Sequence, residues 1–190
     1  MENNHATEPP NNVPTILTKT ARICYWLLLA DLLLSGFITP LSYVIPAFHA
    51  LLMLRLGKVD HRFRTAGIIE IVAVAGANLI PTFSSEIVNA VRGLSISALS
   101  LLFIYFEFTA YSDVLKEAAP ELSANWNSNR DIYLLLKGVM FVCICFSGIS
   151  ALGTFVYLFQ DFIGILSLVS PFISIGICIS YWKTAKLGKK

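Results

Sequence analysis

Five ionisable side chains sit inside strongly apolar stretches of this sequence: Asp31, His49, Glu70, Glu107 and Lys137. A charged group withdrawn from water is costly unless it is paired or hydrated, so each is a candidate ligand- or proton-binding residue. Asp31 and His49 flank the dipeptide Thr39-Pro40 at nearly equal distances along the chain. If two helices reverse direction there, a rise of about 1.5 Å per residue brings both groups to a similar depth. An Asp-His pair suits proton relay or capture of a cation, since imidazole titrates near neutral pH. It equally suits a hydrogen bond that ties the two helices together.

Glu70 and Glu107 each fall about five residues inside the same end of two consecutive antiparallel segments, and Lys137 enters the next segment at a comparable offset. These three could form a charged vestibule for a cation, an amine or a lipid head group. Alternatively Lys137 snorkels toward water, while the carboxylates reach water or Arg62 and Arg64. Ala66, Glu70, Ala73 and Ala77 share one helical face, a small-residue stripe that favours close packing on another helix. Cys143, Ser147, Ser150 and Thr154 make a second such face, and Ser167, Ser170, Ser174 and Cys178 a third.

Catalytic signatures are missing. Gly148-x-Ser150 has no histidine after His61 to serve as a base, and no HExxH, P-loop or GxGxxG pattern occurs. The three histidines are scattered, and Cys143 and Cys145 project to nearly opposite faces of a helix, so no metal site or cofactor is expected. None of the four cysteines forms a CxxC pair.

The elements that must carry these residues follow from composition. Of 190 residues, 56% are apolar and 14% charged, against about 25% charged in ordinary soluble domains. A spanning helix uses roughly 20 apolar residues, so the length allows about six spans and leaves no room for a second soluble domain. The net charge of +2 argues against nucleic-acid binding, since the basic residues cluster beside apolar segments instead of forming one patch.

The expected architecture is an all-α membrane protein with six transmembrane helices in three hairpins. The spans cover about residues 21–38, 41–56, 66–83, 93–111, 132–158 and 162–182. A polar tail, 1–15, precedes this 16–183 domain, and a basic tail, 184–190, follows it. The connection 112–131 is expected as a cytoplasmic loop with a short helix starting at Ser112. Reading 23–56 as a single helix would give about 50 Å, too long for a core of about 30 Å, so Thr39-Pro40 is taken as a reversal. With both termini cytoplasmic, all of the 14 basic residues except Arg92 lie inside, as the positive-inside rule requires. Tyr25-Trp26 and Tyr181-Trp182 fall where an interfacial aromatic belt is expected. Pro46, Pro81 and Pro171 are candidate kinks.

The function expected from these features is binding or transport of a small solute, ion or lipid by a multi-pass protein of the cytoplasmic membrane. Its partners would be the bilayer and a small-molecule or lipid ligand. A non-catalytic accessory subunit packed against a larger membrane complex is the second reading. A lipid-modifying enzyme using Glu70 and Glu107 is the third.

Overall fold

The computed structural model describes residues 13–34, 41–78, 86–147 and 155–188. They form six helices and, among the described residues, no strand: α1 (Thr15–Leu34), α2 (Leu41–Leu56), α3 (His61–Asn78), α4 (Glu86–Leu115), α5 (Pro120–Ser147) and α6 (Phe155–Leu187). Among the described residues, two stretches, Val91–Leu115 and Gly164–Leu187, are long and apolar enough to cross a membrane. Thr39-Pro40, Pro81, the Gly148-x-Ser150 stretch and most of the N-terminal tail lie outside the described residues.

Local chemistry sets the helix ends. Pro14 offers its carbonyl to the amides of Leu17 and Thr18, and so opens α1. At the α2–α3 turn, the Asp60 carboxylate accepts the Arg62 amide at 2.8 Å and caps α3. The same turn needs Gly57, because a Cβ there would come within 2.6 Å of the Arg64 Cβ. Gly67 allows α3 to lie directly on α2, where a Cβ would meet the Ala50 carbonyl oxygen at 2.8 Å. Pro120 takes the first position of α5, where its missing N–H leaves no bond unmade.

The segment expected as a loop, 112–131, is mostly helix. Only the stretch 116–119 separates α4 from α5. Leu122, Ser123 and Trp126 are buried while Glu121, Ala124 and Asn125 face outward, a helical alternation that the mixed charges of this segment disguised. The Ser112 and Ser123 hydroxyls pair at 2.9 Å across the junction.

Each helix packs on its neighbours in sequence, and α1 packs on α6, so the six close into a ring. One end of the ring is plugged by aromatic side chains. Tyr111 stacks on Trp126 with ring centroids 4.4 Å apart, and Phe63, Phe108 and Tyr181 meet this pair edge-on. Trp126 is fully buried, and its indole N–H donates to the Thr184 hydroxyl at 3.1 Å. The Asn129 amide donates to the Ser180 hydroxyl at 2.8 Å, which fixes α5 against α6. Burying five aromatic rings in one cluster contributes substantially to holding the ring shut, since each removes about 150–250 Å² from solvent.

A histidine between two carboxylates: the candidate functional site

Above the aromatic plug lies a cavity of about 180 Å³. All six helices contribute to its wall. Asp31 comes from α1, His49 from α2, Glu70 from α3, Glu107 from α4, Tyr133 from α5, and Tyr181 from α6.

His49 is the hub. Its Nδ1 lies 3.0 Å from Glu70 Oε2 and 3.3 Å from Oε1. Its Nε2 lies 3.1 Å from the Tyr181 hydroxyl and 3.4 Å from Glu107 Oε1. The Tyr181 hydroxyl donates to that same Glu107 oxygen, so towards Nε2 it can only accept. Both ring nitrogens therefore face acceptors. An imidazolium, with a proton on each nitrogen, satisfies every partner in this network. Cys24 is fully buried on α1. Phe103 covers the ring edge-on, with centroids 5.8 Å apart.

Four of the five residues singled out in the sequence, Asp31, His49, Glu70 and Glu107, line this cavity, but their pairing differs from expectation. Asp31 and His49 do not bond to each other; Asp31 has no hydrogen-bond or ion-pair partner among the described residues. Equal distance from Thr39-Pro40 fixes depth and leaves rotation about the helix axis free. Glu70 and Glu107 instead take the two sides of the imidazole.

Lys137 departs further. The Tyr111–Trp126 stack and the Arg130–Thr109 bond set the antiparallel register of α4 and α5. In that register Lys137 stands opposite Ser100, seven residues along α4 from Glu107, or roughly 10 Å. It lines a separate cavity with Ser97 and Ser100, its ammonium 5.6 Å from the Tyr133 ring. The three-residue vestibule is thus two carboxylates in one place and a lysine in another. Arg62, offered as a partner for the carboxylates, is also placed otherwise, since it binds Asp60 and Asp113.

Tyr181 and Tyr133 were not singled out as site residues. The sequence puts Tyr181 in an interfacial belt with Trp182, yet it is buried and turned inward, while Trp182 and Trp26 are exposed. The only available signal was spacing: Ser174, Ile177 and Tyr181 recur at helical intervals on α6 and all line the cavity.

Among the described residues no group of His, Cys, Asp and Glu side chains has the geometry of a metal site. Chemically, the arrangement can hold a proton shared between two carboxylates through an imidazole. It can also attract a positively charged group into a space otherwise walled by Leu27, Ile45, Phe103 and Ile104. Comparison with known protein families, characterised proteins and solved structures gives no match to this chain.

Proposed function

We propose that the chain is a six-span membrane protein, with both ends on the cytoplasmic side, that binds and moves a small organic cation through the cavity at the centre of its helix ring. The observation that carries this reading is His49 held between Glu70 and Glu107 at a site to which all six helices contribute. Counted as ions, the three carboxylates and one imidazolium sum to −2, so the site favours a positive guest. A cavity of about 180 Å³ has room for a small protonated amine. The Phe103 and Phe108 rings suit the apolar body or the charged head of such an amine.

The imidazole adds a way to exchange protons for ligand. An ammonium that binds Glu107 competes with His49 for the same carboxylate oxygen, and a proton leaving the imidazolium would balance the entering charge.

The test is uptake of radiolabelled alkylammonium ions, from methyl to hexyl, into proteoliposomes, together with their effect on the thermal unfolding midpoint of the purified protein. Wild type should take up at least one of these ions and be stabilised by it. Glu107→Gln and His49→Ala should lose both effects. Uptake and stabilisation unchanged in both variants would remove the site assignment.

A second reading, an acid–base enzyme acting on a small molecule, is favoured by the convergence of Glu70 and Glu107 on one cavity. Two carboxylates bridged by one imidazole have the parts for proton abstraction and return. Chemical change in a ligand recovered after incubation with the protein would distinguish it from transport.

A further inference from the structure

The central cavity is not isolated. A neighbouring cavity of about 370 Å³ shares Glu70, Phe103, Ile104 and Tyr133 with it, and runs along α3 and α4 past Ala73, Ala77 and Ser100. Its far side shares Ser100 and Tyr133 with the cavity of about 200 Å³ that holds Lys137. Tyr133 lines all three, and its hydroxyl has no hydrogen-bond partner among the described residues. A groove therefore leads from the carboxylates of Asp31, Glu70 and Glu107 at one end to a lysine at the other. Its intermediate walls are mostly apolar, with Ala73, Val74, Ala77, Ile96 and Phe103 among them.

The Lys137 end has its own chemistry. Among the described residues Lys137 has no carboxylate partner, and its one electrostatic contact is the Tyr133 ring. Ser97 and Ser100 spend their hydroxyl protons on the carbonyls of Gly93 and Ile96, and among the described residues neither hydroxyl oxygen accepts from the ammonium. Lys137 is half-buried; an ammonium drawn partly out of water without a counter-charge is costly, and an anionic group is the guest that offsets the cost. The carboxylate end, at Glu70, Glu107 and Asp31, asks for the opposite charge.

Resting on the cation reading above, we infer that Lys137 and Tyr133 form a second, anion-recognising subsite, and that the ligand is an elongated zwitterion. Its ammonium lies at Glu70 and Glu107 and its carboxylate at Lys137, with an apolar chain between them along Tyr133 and Ile104. The helical register separates the two ends by roughly 10 Å of backbone, less the reach of the side chains, which corresponds to a chain of about six to eight carbons. Tyr133, between the ends, supplies a hydroxyl able to donate to the carboxylate.

The test measures dissociation constants by thermal shift of the full chain in mild detergent. The probes are pentylammonium, hexanoate, ω-aminohexanoate, ω-aminooctanoate and the short control β-alanine. At least one long ω-amino carboxylate should bind about tenfold or more tightly than pentylammonium, and β-alanine should gain nothing. Lys137→Gln should erase that tenfold advantage while keeping the affinity for pentylammonium, which also reports that the variant is folded. Lys137→Arg should keep the advantage, and Tyr133→Phe should reduce it. If the amino carboxylates bind no better than pentylammonium, or if their advantage survives in Lys137→Gln, the anion subsite is wrong and the cation site stands. If hexanoate binds as tightly as ω-aminohexanoate, the zwitterion is wrong. If no ammonium probe binds, both the inference and the cation reading fall.

Discussion

Tyr181 serves His49 and Glu107 with a single hydroxyl, accepting from one and donating to the other. Tyr181→Phe removes both bonds and leaves a buried carboxylate short of a donor, with little change in volume. A cost of about 1–3 kcal/mol is expected, read as a lower thermal unfolding midpoint and weaker alkylammonium binding. An unchanged midpoint would show that the hydroxyl is not part of the network. His49, Glu70 and Glu107 were legible in the sequence because ionisable groups in apolar segments stand out by type alone. Their partnership was not legible, because depth follows from counting residues whereas the facing direction depends on how each helix is turned. Tyr181 was hidden for another reason: a tyrosine beside a tryptophan near a helix end has the composition of an interfacial anchor whether it points outward or inward.

The helix pairs show where packing admits no substitution. Gly67 lies against the α2 backbone, and a methyl group there would stand 2.8 Å from the Ala50 oxygen and 2.9 Å from the Leu54 nitrogen. Backbone atoms cannot rotate away, so Gly67→Ala forces α2 and α3 apart. The expected loss is about 1–3 kcal/mol, measured as a fall in the unfolding midpoint. The turn between these helices is held by charge. Arg62 binds Asp60 within the turn and reaches Asp113 at the end of α4. Hydrogen bonds from Arg62 hold the Asp60 carboxyl below its usual range. Because the folded pKa is depressed, this contribution is complete above the unfolded value of about 3.9 and fades as pH falls through the folded value. Stability should therefore show no contribution from this group to its pH dependence between about pH 5 and 8. Arg62→Gln should narrow the gap between midpoints at about pH 6 and pH 3, and an unchanged gap would discount the ion pair. Gly67, which makes the close α2–α3 contact, lies outside the small-residue stripe of α3, whose Ala73 and Ala77 line a cavity instead, and the helical character of 120–131 was masked by charges that lie on its outward face.

At the level of the molecule, number and order of helices followed from the length and spacing of apolar segments, since about 20 residues are needed to cross a bilayer. The ring was beyond the sequence, because nothing in six similar apolar segments says that α1 must meet α6. The proposed orientation has a direct test. In a cysteine-free background, Lys58→Cys and Lys116→Cys should react with an impermeant maleimide only when the cytoplasmic side is exposed, and Arg92→Cys from the other side. Reaction of all three from one side would reject the six-span arrangement.

Gly188, just past α6, lies against Thr18 in the first turns of α1. The covalent order of the helices is thus one of several that would trace the same circle. A short Gly/Ser linker joining position 188 to position 13, with new termini opened in the 116–119 turn, should give a permuted protein with the same cavity. In the six-span arrangement proposed above, the 116–119 turn lies on the same side as the old ends, so insertion would need no change of sidedness. Retention of alkylammonium binding by this permutant would show that the site belongs to the closed circle of helices and not to the sequence in which they are made.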